Sequence, residues 1–299
     1  MKNIILLFLT TTFCLVGVNG QDVLSIEEMN SVYKKEKHHN KRVQQYVHLR
    51  QADAMWSRKI WREIDLRQKI NHPFYYPEND GNGHTILDRM SLIDVIYSAI
   101  QEGSITAYGN AIMDDEFREE MSPNDIKKIG GAKEEMVSST DWDRVAEGYS
   151  EEESTIMKLE KKPFNRNTVK KWRLKEEWFF DKQRSVMDVR IIGLAPLQED
   201  KDEVTGRLTG GFSPLFWVSF PEARKILINA EVFNLVKNNA ERRTYDDIFW
   251  KRMFGSTIVK ESSVMDRKIN EYMVGLDALL EAERIKAEIF NIEHDFWEY

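Results

Sequence analysis

Cys14 is the only cysteine in the chain. It lies inside an apolar leader, so everything after that leader must fold without a disulfide or a thiolate-bound metal. An apolar core, backbone pairing and ion pairs are what remain to hold it together. The leader has three parts. Met1-Lys2-Asn3 is a short positive start, Ile4 to Val18 form an apolar stretch broken only by Thr10 to Thr12, and Val18-Asn19-Gly20 places small or aliphatic residues at a cleavage site. Residues 1–20 therefore read as a secretory signal peptide, cut between Gly20 and Gln21. An uncleaved N-terminal anchor is the alternative. Lipid attachment at Cys14 is disfavoured because bulky Phe13 precedes it. A cysteine-free exported chain fits a bacterial envelope better than a small eukaryotic secreted domain, and the expected location is the periplasm.

The 279 residues after the leader suffice for one large domain or two small ones. Removing Lys2 from a chain of net charge −7 leaves −8. This argues against nucleic-acid binding, which needs an excess of Lys and Arg to neutralise phosphates. No later apolar stretch approaches the length of a membrane span, so no transmembrane segment is expected in the mature chain. Eight Trp, ten Tyr and fifteen Phe imply a packed core, an aromatic interface, or both.

Residues 21–50 form a polar arm with a basic run from Lys34 to Arg42, expected to be solvated or to dock on an acidic surface. Met55 to Ile70 read as a helix, or a helix running into a strand, because Trp56, Ile60 and Ile64 fall at helical spacing. Asn71-His72-Pro73 ends it, and Phe74-Tyr75-Tyr76-Pro77 is expected to be extended. Ser91 is a good N-cap for a helix reaching about Gln101, stopped by Gly103, with a strand over Ile105 to Tyr108. Residues 131–167 offer few apolar anchors and read as a charged linker with some local helix. Val186 to Leu194 and Leu215 to Phe220 read as strands of a long hairpin around the polar loop Gln198 to Gly211. Tyr245 to Phe254 read as a helix ending at Gly255, followed by a strand at Thr257 to Val259. Asp266 to Phe290 read as a long helix with an imperfect stripe of Ile269, Met273, Leu276, Leu280, Ile285 and Ile289.

Asp94-Val95-Ile96-Tyr97 aligns with Asp246-Asp247-Ile248-Phe249, and Gly103-Ser104 with Gly255-Ser256, at a constant spacing of 152. This suggests two related helix–Gly–strand units. The expected fold is α/β (α+β) in two related lobes, residues 51–130 and 168–264, joined by the linker. The second lobe carries the hairpin, and a C-terminal helix occupies residues 265–299.

Catalytic patterns are missing. There is no GxSxG, P-loop or HExxH. None of the six histidines pairs with another at the i, i+4 spacing of a helical metal site. Asp141-Trp142-Asp143 offers too few oxygen ligands for a hard cation, so no cofactor and no metal are expected. An inconspicuous carboxylate pair of the glycosidase kind keeps a periplasmic or secreted hydrolase as the alternative. The surplus of aromatics beside charges points instead to contacts. The interface candidates are Trp61, Tyr75, Tyr76, Trp178, Trp250, Arg252 and Trp297.

Several strings also appear together in order. In the first half they are Trp61-Arg62-Glu63-Ile64-Asp65-Leu66-Arg67, Asn71 with Pro73-Phe74-Tyr75-Tyr76-Pro77, and Glu102-Gly103-Ser104-Ile105-Thr106-Ala107-Tyr108. In the second they are Glu177-Trp178-Phe179-Phe180-Asp181-Lys182, Arg190 to Pro196, Phe220-Pro221-Glu222, Asn229 to Asn234, and Asp246 to Phe249 running to Ile258-Val259-Lys260-Glu261-Ser262. Over residues 45–265 the chain resembles the GldN/PorN family of the type IX secretion and gliding-motility apparatus. That resemblance implies a non-enzymatic component of a periplasmic ring. It further implies self-association, pairing with an outer-membrane lipoprotein of the GldK/PorK kind, and contact with an inner-membrane protein of the GldM/PorM kind. A secreted cargo of the same apparatus normally ends in a β-rich sorting domain, whereas this chain ends in a helical pattern and Asp295-Phe296-Trp297-Glu298-Tyr299.

Overall fold

The computed structural model describes residues 41–78, 89–109, 115–130, 133–140, 155–162, 164, 166–201, 207–234, 238 and 241–297. The cleavage site at Gly20 and Gln21 and the arm before Lys41 lie outside the described residues. The described residues belong to one compact unit.

The strands in chain order are β1 (Ala54–Asp65), β2 (Ala107–Tyr108), β3 (Glu120–Met121), β4 (Lys133–Thr140) and β5 (Thr155–Lys162), then β6 (Val169–Asp181), β7 (Val186–Lys201), β8 (Leu208–Pro214), β9 (Trp217–Ser219) and β10 (Thr257–Glu261). The helices are α1 (His72–Tyr75), α2 (Leu92–Gln101), α3 (Pro123–Ile129), α4 (Phe220–Leu227), α5 (Tyr245–Trp250) and α6 (Leu276–Trp297).

The mixture of helix and antiparallel sheet is the one expected. Its division into two lobes is not. One eight-stranded sheet runs in the order β10-β1-β6-β7-β9-β2-β3, with β8 also paired to β7. β1, from the expected first lobe, pairs with β6 along most of its length and with β10 on its other edge. The expected linker contributes a separate antiparallel pair, β4 with β5, where local helix was expected. The hairpin of β7 is richer than expected, because β7 pairs β6 on one edge and β8 and β9 on the other.

Two readings fail for identifiable reasons. Trp56, Ile60 and Ile64 are spaced by four, which satisfies both a helical turn and strand alternation. The residues between them decide the matter, and strand pairing puts Trp61 on the opposite face from Ile60. Phe74 and Tyr75 are helical rather than extended, because Pro73 sits in the first turn of α1, where its missing N–H costs nothing.

The matched units at 152-residue spacing also diverge. β2 lies inside the sheet between β9 and β3, whereas β10 is an edge strand. Every neighbouring pair is antiparallel, so β2 and β10 run in opposite directions. The likeness is confined to the helix starts: Ser91 caps α2 by accepting from the Asp94 N–H, and Thr244 with Asp247 forms a capping box on α5. Even the stops differ. Gly103 ends α2 with φ +72°, the left-handed position that suits glycine. The corresponding place after α5 is Arg252 at φ 52°. There the Arg252 and Met253 N–H groups donate back to Phe249 O and Ile248 O at 3.2 and 2.9 Å. Gly255 lies beyond the stop, where the Asn71 side chain holds both its N–H and its carbonyl at 2.9 Å.

Ile60, Arg62 and Ile64 share one face of β1 by alternation. That face carries the main core, in which α2, α4 and α5 pack with Phe74, Trp172, Leu174 and Phe216. Farther along the same face, Ala282, Ile285 and Ile289 of α6 close a small second cluster over Ile60 and Ile258. A third cluster, Trp61, Ala195 and Trp217, lies on the opposite face.

Candidate interaction surfaces

The seven interface candidates fall into different settings. Trp61 is only 7 % exposed and is a core residue rather than a surface one. Its Nε1 donates to Asp115 Oδ2 at 2.8 Å, and Lys175 and Lys260 lie 5.6 and 4.5 Å from its ring centre. Tyr75 is half-buried; its hydroxyl accepts from Lys170 Nζ at 2.9 Å and contacts Glu78. Tyr76 is exposed and packs edge-on to Tyr75. Trp297 ends α6, and its side chain lies outside the described residues.

Trp178 and Arg252 converge on a group that was not anticipated. Glu176 is fully buried, and Trp178 Nε1 and Arg252 Nη2 both donate to its Oε2 at 3.1 Å. Arg62 Nε stands 3.2 Å from the same oxygen as an ion pair. A buried carboxylate is tolerable only with such partners, because an isolated charge away from water costs several kcal/mol, about the whole stability of a domain. Burial lowers the Arg62 pKa from the usual guanidinium value, and the Glu176 carboxylate offsets part of that. The left-handed backbone of Arg252 turns this side chain off the end of α5 toward Glu176. Strand alternation foretells the burial: Trp172, Leu174, Glu176 and Trp178 share a face once residues 169–181 are recognised as a strand.

Beside this cluster lies a cavity of about 440 Å³, lined by Arg62 and Trp178 from the sheet and by Glu283, Lys286, Ala287, Ile289, Phe290 and Glu293 from α6. It is an open groove along the helix, and Phe290 stands 67 % exposed at its lip.

Trp250, 44 % exposed, anchors a second surface. Tyr46 from the end of the arm stacks on it with centroids 5.2 Å apart. Beneath both rings, Arg224 forms a two-pronged pair with Asp246, Nε to Oδ1 at 2.7 Å and Nη2 to Oδ2 at 3.2 Å. The guanidinium carbon lies 4.6 Å from the Tyr46 ring and 5.0 Å from that of Trp250, within cation–π range. The arm is further tied by Lys41 to Asp247 at 3.4 Å and by Arg190 to the Val47 carbonyl. Thus residues 41–50 lie against the body instead of projecting from it. A cavity of about 230 Å³ opens beside Tyr46 and Trp250. A third, of about 280 Å³ and mostly apolar, is lined by Ile70, Pro73, Val232, Phe233, Ile248 and Met253 among others.

Three of the buried carboxylates and the half-buried Glu63 share a feature. Glu176 meets two arginines, Glu63 meets Lys171 and Arg173, Asp94 meets Arg166, and Asp246 meets Arg224. Each is matched by a cation across elements distant in sequence, which is the chemistry of staples between strands and helices. Among the described residues no group of His, Cys, Asp and Glu could hold a metal ion, and no helix is long and apolar enough to cross a membrane.

No curated protein matches the chain. The family model described as "Gliding motility associated protein GldN" matches residues 49–298, which takes in every strand and helix described above, and the chain belongs to that family.

Proposed function

We propose that this gliding-motility protein is a non-enzymatic structural part of the type IX secretion apparatus, working in the periplasm through its surfaces. In this reading it builds a ring by self-association, pairs with an outer-membrane lipoprotein of the GldK/PorK kind, and contacts an inner-membrane protein of the GldM/PorM kind. The family match over residues 49–298 carries the proposal. The leader supports export, and the cation-matched carboxylates support a structural use for the buried charges. A ring needs a heterologous contact in which two different surfaces meet. The Trp250–Tyr46 surface and the apolar cleft around Ile70 and Met253 are two such surfaces on one body. A tagged copy, purified from the envelope in mild detergent, is expected to bring down both partners. Trp250→Ala should leave the fold intact and weaken that capture, since an aromatic anchor is worth upwards of about 2 kcal/mol at an interface. Recovery of the tagged chain without either partner, with gliding and secretion intact in its absence, would sink the reading.

A further inference from the structure

Helix α6 has a buried apolar stripe and an exposed, partly apolar one. The inner one, Ala282, Ile285 and Ile289, is buried on the sheet. The outer one runs Leu276, Leu280, Glu283, Ala287, Phe290, His294, in alternating steps of four and three, and all six residues are exposed. Steps of four and three are the heptad spacing that keeps one seam of a helix facing another helix. The inner stripe already satisfies the sheet; on the outer stripe Glu283 pairs with Lys286 at 3.3 Å, while the apolar Leu276, Leu280 and Phe290 stay 70, 59 and 67 % exposed.

We propose that the outer face of α6 pairs antiparallel with the same helix of a second copy of this chain. The side chains favour that occupant and one register. When Ala287 is set against Phe290 of the second copy, a small residue meets a large one. Glu283 then meets His294, and position 280, a leucine, meets position 297. On the flank of the same seam, Lys286 faces Glu293. Two-fold symmetry makes every one of these contacts twice. Moving the register one heptad toward the N-terminus sets Lys286 against Lys286. A parallel pair sets Glu283 against Glu283 in the seam. Opposite charges in flanking positions and like charges in the wrong arrangements are how helical pairs choose orientation. The second helix also lies across the mouth of the 440 Å³ groove, whose lining includes Lys286, Ala287, Phe290 and Glu293.

Such a pair is closed and adds no further subunits, so it stands apart from the heterologous ring contact proposed above. The test uses residues 21–299, which hold no cysteine and contain the whole compact unit. Sedimentation over a concentration series should show a monomer–dimer equilibrium. Phe290→Glu should raise the dissociation constant at least about tenfold with an unchanged far-ultraviolet circular dichroism spectrum. The double variant Lys286→Cys/Glu293→Cys should oxidise to a covalent dimer, and Ala287→Cys alone should do so far more slowly. A monomer at every concentration overturns the proposal, and so does a dimer indifferent to Phe290→Glu. Faster cross-linking by Ala287→Cys alone means a parallel seam and overturns it as well.

Discussion

Helices α2 and α6 rest on the same face of the same sheet, yet they are opposite kinds of object. α2 spans ten residues, and of these only Ser98 and Gln101 escape full burial. It is enclosed by β-strands, α4 and the Phe164 ring, which stacks on Tyr97 with centroids 4.9 Å apart. α6 is more than twice as long at 22 residues, but among its described side chains only Ala282, Ile285 and Ile289 are buried. Both carry apolar residues at helical spacing. Apolar spacing thus identifies the helix without identifying what it packs against. The walls around it decide that. α2 is a brick of the core, whereas α6 is a cover that still presents apolar surface outward.

The largest expected effect sharpens this contrast. Ile96 in α2 and Ile285 in α6 are both fully buried. Ile96→Ala should cost about 3–5 kcal/mol, because the large rigid cluster around it cannot close the void. Ile285→Ala should cost less, about 2–3 kcal/mol, because α6 has an open groove on one side and can settle toward the sheet. Urea unfolding of the two variants measures both. Equal losses would mean that α6 is built in as firmly as α2, and the comparison would break.

A smaller effect tests how the main core is tied together. The Tyr245 hydroxyl at the start of α5 donates toward the carbonyls of Pro73, 3.1 Å away, and Met90, 2.8 Å away. It thereby joins α1, α5 and the entry to α2. Burial, reinforced by the Asp94 carboxylate, pushes this hydroxyl well above the ordinary phenol range. The folded state therefore keeps the proton that the unfolded chain loses near pH 10. The stability this confers is fully present below about pH 10 and is lost as pH rises from there through the folded-state value. Tyr245→Phe should cost about 1–2 kcal/mol at neutral pH by leaving the two carbonyls bare. The gap between variant and wild type should narrow above about pH 10. Denaturant unfolding at pH 7 and at pH 10.5 checks the sign. A gap that widens in alkali would mean that Tyr245 ionises more easily in the fold than out of it.

What was legible in the sequence follows local chemistry. Ser91 with Asp94 three residues on, and Gly103 after Gln101, mark α2 within a residue of its ends, because caps are written in contiguous residues. The β-character of Val186 to Leu194 was equally plain. The pairing partners were not. β1 finds β6 more than a hundred residues away, and no local pattern carries that information. The same limit hid the ion-pair staples. Glu176, Arg62 and Arg252 come from β6, β1 and the end of α5, and each alone is an ordinary charged residue. The aromatic surplus was readable as core plus surface, but its allotment was not: Trp61 and Trp250 stand in similar mixed sequence, and the sheet buries one and leaves the other out. Family strings located residues of consequence, such as Asn71, without showing that its side chain would clamp Gly255.

The smallest expected effect on stability concerns the outer stripe of α6. Leu280 is 59 % exposed and Phe290 67 %. Truncating either to alanine removes little buried area from the isolated chain, so each should change folding stability by no more than about 0.5 kcal/mol. Alanine is also a better helix former than either residue, which pulls slightly the other way. The measurement belongs at a concentration where the chain is monomeric, since self-association would add a binding contribution to the apparent stability. Hydrogen exchange along α6 gives a second readout, because opening of a cover helix with three buried anchors should occur well below the free energy of global unfolding. If Leu280→Ala or Phe290→Ala instead costs what Ile285→Ala costs in the monomer, then the outer stripe is packed against the chain's own body. In that case α6 would be a core helix like α2, and the difference between the two would lie only in length.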